Sequence, residues 1–239
     1  VSSSAHLAFL KDLLGYTPSE KDVLFDLACH LGTLFALLIF LRNDLREILF
    51  HKRKKLLFLF LALLPLIPFY FFLKPLREFF SHREFLGGCL ILTSCFLWVG
   101  NRKKEHKTEK TPLIRHFLYI GTMQALALIP GISRSASTIS TARILGWAPK
   151  EAVRFSFLLS IPAICGGTFL EVLKLLRSPP LEGILATSFI IGFFASFFTG
   201  LAIVSFAIRF LEKGNLKPFA YYCLALGFLI ALYYTPLKR

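Results

Sequence analysis

The residues best placed to do chemistry are Pro130-Gly131-Ile132-Ser133-Arg134-Ser135-Ala136-Ser137-Thr138, which put four hydroxyls and one guanidinium into nine positions. Pro130 has no N–H to donate and Gly131 tolerates unusual backbone angles, so a helix is expected to break here. Ser133 then suits the N-cap of a new helix, whose first N–H groups would point back at the break. Free N–H groups, hydroxyls and an arginine fork together make a site for an oxyanion, above all a phosphate. In water such a turn would be an ordinary helix boundary with a solvated arginine. At hydrocarbon depth an arginine is costly and marks function.

A second polar run opens the chain: Ser2, Ser3, Ser4 and His6. It recurs at an offset of 131 residues, Ser2, Ser4 and Ala5 matching Ser133, Ser135 and Ala136. Leu14-Gly15-Tyr16 matches Leu145-Gly146-Trp147, Pro18 matches Pro149, and Glu20 matches Glu151. If the two breaks meet, one pocket holds several hydroxyls, a histidine and an arginine. His6 brings an imidazole, the side chain suited to general acid–base work. Arg134 can grip a phosphoryl group through two parallel hydrogen bonds and stabilise charge developing on it. A serine beside a histidine can serve as a nucleophile.

The elements that must position these groups are apolar helices. The chain has 239 residues, 55% of them hydrophobic, with 27 phenylalanines and a formal net charge of +14. That apolar share exceeds the ordinary soluble range, and several runs approach the ~20 residues that cross a bilayer. The basic residues sit in short stretches between apolar runs, which reads as membrane topology and not as nucleic-acid binding. Spans are expected at 24–41, 56–73 (kinked at Pro65 and Pro68), 85–100, 155–173, 184–208 and 219–234. The fold class expected is an all-α integral membrane protein with about six transmembrane helices plus two re-entrant helical hairpins in an inverted-topology repeat. The chain reads as a single membrane domain, 1–239, with a first half at 1–115, truncated at its N-terminus, and a second half at 116–239. In that topology, stretches 42–55, 101–115, 143–154 and 209–217 share one face and carry 18 Lys and Arg, against 8 on the other. The basic face is expected in the cytoplasm, so the first hairpin enters from outside and the second from the cytoplasm.

Five cysteines (Cys29, Cys89, Cys95, Cys165, Cys223) lie in apolar segments without metal-ligand spacing and read as small hydrophobes. Carboxylates are scarce near the breaks: Asp12, Asp26, Glu20 and Glu151 are the candidates, with Asp26 placed on the first span to reach the pocket. A divalent cation beside a phosphate calls for more oxygen ligands than these.

The two polar runs resemble those of the bacitracin-resistance family of undecaprenyl-diphosphate phosphatases. The family's second motif, Pro-Gly-x-Ser-Arg-Ser-x-x-Thr, is matched in full by Pro130 to Thr138, and its first, Pro-x-Ser-Ser-x-x-His, by Val1 to His6 from just after the proline. Gln124 with Ala125-Leu126-Ala127-Leu128, and Phe155 to Leu159 with Pro162, are similar too. The chain departs from the pattern at Ala136, where glycine is common, and at Arg154, where an acidic residue is. The resemblance implies hydrolysis of a C55 polyprenyl diphosphate to the monophosphate that serves peptidoglycan synthesis, and with it bacitracin resistance. It implies a multi-pass protein of the bacterial inner membrane with its site facing the periplasm or exterior, the bilayer and the polyprenyl lipid as partners, and a possible homodimer. It further implies Ser3 as nucleophile unless water attacks directly, His6 as acid–base group, and Arg134 with Ser2, Ser133, Ser135 and Thr138 on the diphosphate. A divalent cation, Mg²⁺ or Ca²⁺, and a Glu-x-x-x-Glu run before the first motif also belong to the pattern. That run is expected upstream of Val1, the chain having no initiator methionine. Two other readings differ in class. A transporter or flippase of polyprenyl phosphates would use the same broken helices without cleavage. The other membrane lipid-phosphatase superfamily needs a histidine where Ser140 stands and a Lys-x₆-Arg-Pro run that is lacking.

Overall fold

The structure is a computed structural model that describes residues 2–16, 21–101, 113–176 and 186–235. Among them every regular element is helical: α1 Ser3–Leu13, α2 Lys21–Phe40, α3 Arg42–Phe50, α4 Arg53–Leu63, α5 Leu66–Phe72, α6 Lys74–Phe80, a 3₁₀ turn Arg83–Phe85, α7 Leu86–Gly100, α8 Ile114–Leu126, α9 Arg134–Ile144, α10 Pro149–Leu175, α11 Ala186–Glu212 and α12 Lys217–Tyr234. Five helical stretches of the described residues are long and apolar enough to cross a membrane, or six if α2 and α3, bent by 69°, form one broken span. The chain is thus a multi-pass all-helical membrane protein. The spans fall where the apolar runs predict them. As expected, the second is interrupted at Leu64-Pro65, where two prolines withdraw backbone donors.

Two basic stretches expected as loops are helical instead. Residues 42–50 form α3 and 74–80 form α6. Neither contains an internal glycine, and a long-stemmed Lys or Arg costs a helix little. Pro18, Glu20 and most of the basic stretch 101–115 lie outside the described residues, as do Arg177, Lys238 and Arg239.

The chain divides into two compact units. One comprises 17–56 and 157–210. Its core is the pairing of α2 with α11, where Gly192, Ser196 and Gly200 repeat every fourth residue. A Cβ added at Gly32 would lie 2.1 Å from Ser196 Oγ, and one at Gly200 would lie 3.1 Å from Ala36 Cβ. With no water to expel, such small-residue contacts hold helices together by close van der Waals fit.

The other unit comprises Val1–Tyr16, Leu57–Ser156 and Leu211–Arg239 and contains both polar runs. Its axis is the antiparallel pair α7 and α12. Gly87 faces the Gly227 carbonyl and Ala231, Ser94 Oγ donates to the Ala220 carbonyl at 2.8 Å, and Asn101 Oδ1 accepts from Leu216 N–H at 2.8 Å. The short helices α1 and α9 flank this pair. At 1.5 Å per residue they are about 16 Å long, roughly half a hydrocarbon core, so neither crosses alone. Near its C-terminus α1 meets the start of α7 and the end of α12, where Asp12 pairs with Arg83 and accepts from the Tyr234 hydroxyl. The corresponding end of α9 meets the other ends of the same helices: Ser140 lies against Gly100, and Arg143 Nη1 lies 3.0 Å from a Cβ built on Gly214. Helices α1 and α9 therefore start together and run apart along an antiparallel pair. The two short helices thus diverge from a shared start, α1 toward the beginning of α7 and α9 toward its end, as the inverted topology expects.

The same correspondence holds in the backbone. Both short helices span 11 residues and follow an extended serine, Ser2 at φ −75° and Ser133 at φ −78°. Each ends in a Schellman turn: Gly15 N–H bonds to Asp12 O and Tyr16 N–H to Lys11 O, as Gly146 N–H bonds to Arg143 O and Trp147 N–H to Ala142 O. Gly15 and Gly146 have φ of 64° and 91°, a region closed to most side chains. Trp147 continues into an aromatic cluster with Phe117 and Phe155, and its Nε1 donates to His116 Nδ1 at 3.2 Å. Burial, with Arg115 adjacent, holds the His116 imidazole below its ordinary range and so keeps that nitrogen an acceptor.

Candidate active site

The break before α9 is built as the sequence predicts. Ser133 takes extended angles and its Oγ accepts from Ala136 N–H at 3.3 Å, capping the helix. Gly131 is needed twice over. Its φ is 94°, and a Cβ there would sit 2.6 Å from Cys89 Cβ. The turn is pinned to α7 by Thr93, whose Oγ1 accepts from Ser133 N–H at 3.1 Å and donates to the Cys89 carbonyl at 3.0 Å.

The two polar breaks meet. Gly131 N–H donates to Ser4 Oγ at 3.3 Å across 127 positions of chain. The starts of α1 and α9 thus converge at one point, each bringing unsatisfied first-turn N–H groups and the positive end of a helix dipole. Ser2 makes no side-chain cap to α1; its Oγ lies 3.0 Å from Ser4 Oγ instead. On α9, Ser133 Oγ and Ser135 Oγ are 3.3 Å apart. Arg134 is half-buried, and no hydrogen bond or ion pair of its guanidinium appears among the described residues.

His6 has both ring nitrogens occupied. Nδ1 lies 2.5 Å from the Ser2 carbonyl, which can only accept, so Nδ1 carries the proton. Nε2 lies 2.8 Å from the Tyr222 hydroxyl on α12, and the two rings stack with an 8° interplanar angle. Ser3 is exposed and has no hydrogen bond to His6 among the described residues. Thr138 is turned away from the break: it is buried, donates back to the Arg134 carbonyl and shares a 2.6 Å contact with Ser156 Oγ. Hydrogen bonds thus tie Ser2, Ser4 and His6 of the first run to one another and, through Ser4, to Gly131 of the second, where Ser133 and Ser135 follow; Ser3 is exposed and Thr138 faces Ser156. Gln124, in the last turn of α8 before the break, is buried with neither carboxamide atom partnered. Tyr222, Thr93 and Ser156 were not found from sequence. For Tyr222 the nearest signal is a phenol inside an apolar run, whose polar end seeks a partner; Thr93 and Ser156 carry no such signal.

A cation ligand set is not present here. Among the described residues no three His, Cys, Asp or Glu side chains cluster to hold a metal. Asp12 is committed to Arg83 and Tyr234, Asp26 belongs to the other unit, and Glu20 lies outside the described residues. N–H dipoles and hydroxyls at two meeting helix starts are chemistry that suits an anion, and an imidazole is a group able to move a proton.

Known proteins similar to this chain match it along most of its length. The family described as "Bacitracin resistance protein BacA" matches residues 1–229. The chain is 39% identical over 236 residues to an undecaprenyl-diphosphatase of Protochlamydia amoebophila, covering 98% of this chain and 91% of that protein. It is 38% identical over 234 residues to an undecaprenyl-diphosphatase of Carboxydothermus hydrogenoformans, covering 95% and 88%. A protein of Bacillus thuringiensis named undecaprenyl-diphosphatase 2 is 30% identical over 248 residues.

Proposed function

The chain belongs to the bacitracin resistance protein BacA family, and from that premise we propose that it hydrolyses undecaprenyl diphosphate to the monophosphate and inorganic phosphate at the meeting of the two short helices. The observation that carries the reading is the 3.3 Å bond from Gly131 N–H to Ser4 Oγ, which joins the starts of the two short helices three residues before Arg134. A diphosphate carries its charge on the oxygens that such N–H groups bind. Arg134, being planar and always charged, holds two of them at once and meets the charge that grows as the anhydride bond breaks. Ser2, Ser133 and Ser135 supply further donors. Thr138 acts from behind the helix by holding Ser156.

His6 takes the proton of the attacking group, either water or the Ser3 hydroxyl, and can return one to the leaving phosphate. If Ser3 attacks, its Oγ forms a phosphoester as the anhydride bond breaks, and water then cleaves that ester. A divalent cation, when bound, would supply neutralisation of phosphate charge; the described residues do not form a ligand set for it, and the steps above use this chain's own groups.

The excess of Lys and Arg on one side favours that side as cytoplasmic, with α1 entering from the outer face and the site open to the exterior of a bacterial inner membrane. The halves 1–115 and 116–239 then form the two members of the inverted repeat, each supplying one short helix. A lipid carrier that binds without cleaving is the second reading, favoured by two short helices that meet at their starts as broken helices do in carriers.

The test is phosphate release from a polyprenyl diphosphate by the purified protein, expressed from its native start codon, in Mg²⁺ or Ca²⁺. Activity is expected, with Arg134→Ala lower by about 10²–10³-fold and Arg134→Lys intermediate, since lysine lacks the planar fork. Lipid binding without phosphate release would remove the hydrolase reading in favour of the carrier.

A further inference from the structure

His6 has no free nitrogen. Its Nδ1–H is spent on the Ser2 carbonyl at 2.5 Å, and the Nε2 lone pair, the only basic position left, faces the Tyr222 hydroxyl at 2.8 Å. With Nδ1 the donor, the neutral imidazole has Nε2 as its acceptor, and in that state the phenol proton points at the ring. The ring stack holds Tyr222 in that place. Tyr222 itself is 49% exposed, so the residue is not sealed in the core. Ser3, the nearest hydroxyl in sequence with no partner of its own, makes no bond to His6 among the described residues.

We infer that His6 exchanges its proton through Tyr222, whose hydroxyl is the relay between the imidazole and the attacking group. This rests on the hydrolase reading above. As the nucleophile's oxygen bonds to phosphorus, its proton passes to Tyr222 Oη while the Tyr222 proton passes to His6 Nε2. The phenol ends as it began, neutral and protonated, and the imidazole ends as the cation. The reverse transfer returns the proton to the phosphate leaving group. The relay spans the two repeats: the base stands on α1 and its phenol on α12.

The test compares Tyr222→Phe, which keeps the stacked ring, with Tyr222→Leu, which does not. Histidine ¹⁵N spectra of the full-length protein are read beside phosphate release, with the His6 signals assigned by their loss in His6→Gln. Expected for Tyr222→Phe are a downfield move of the Nε2 resonance as its hydrogen bond is lost, and kcat lower by about tenfold or more with KM within twofold. The proton inventory in mixed H₂O and D₂O is expected to change from two transferring protons to one. A ring with a packing role alone would leave Tyr222→Phe like the wild type and only Tyr222→Leu impaired, and that pattern would overturn the relay. An unmoved Nε2 resonance would overturn it as well. Should the wild-type protein release no phosphate, the hydrolase reading fails by itself, while the ¹⁵N spectrum still decides whether Tyr222 occupies Nε2.

Discussion

At the scale of single residues, much of the site can be read from chemistry that is local in sequence. Ser133 announces itself as a cap because a serine follows a Pro-Gly break, and it caps Ala136 as expected. His6 and Arg134 were picked out as a proton mover and an anion binder. What local spacing cannot carry is who faces them. Tyr222 lies 216 positions from His6, and Thr93 lies 40 from Ser133, so nothing near either residue signals its partner. Gly131 offers the sharpest residue-level test. Alanine there takes an unfavourable positive φ, about 1–2 kcal/mol, and presses on Cys89, another ~1–3 kcal/mol. Gly15→Ala meets the φ term alone, because a Cβ at Gly15 has nothing within 4 Å. Thermal unfolding in detergent is expected to fall clearly further for Gly131→Ala than for Gly15→Ala, with phosphate release lost only in the former.

At the scale of elements, apolar length located the spans, and the Leu-Gly-aromatic triplets located the ends of both short helices. The misreading lay at 42–50 and 74–80, where charge was taken to mean loop. Charge reports distance from the hydrocarbon, whereas helix formation depends on the backbone and on propensity, and the two separate at a membrane surface. The α7–α12 contact was likewise invisible, since a glycine in an apolar run does not say which backbone approaches it. The structure distinguishes neighbours here. A Cβ on Gly87 would lie 2.6 Å from the Gly227 carbonyl, and one on Gly88 meets nothing within 4 Å. Gly87→Ala is therefore expected to cost about 1–3 kcal/mol and Gly88→Ala within about 0.5 kcal/mol, as read from unfolding of the two variants side by side. Equal effects would mean that α7 and α12 are not in backbone contact.

At the scale of the whole molecule, the inverted pairing could be inferred from a handful of matched residues at one offset, because a break, a cap and a stop must recur together for a short helix to recur. The orientation proposed from the charge bias belongs to this scale too. A cysteine placed at Ser81 is expected to react with a membrane-impermeant maleimide in intact cells, and one placed at Lys52 only after the cells are opened, with the native cysteines replaced in both. Labelling of Lys52→Cys alone in intact cells would turn the site toward the cytoplasm.

The matched 11-residue helices with their matched stops also bear on ancestry. A tandem duplication of a segment with an odd number of spans leaves its second copy facing the opposite way with no change to the insertion of the first. Each copy of such a pair is then free to diverge, and the position that holds His6 in one short helix holds Ser137 in the other.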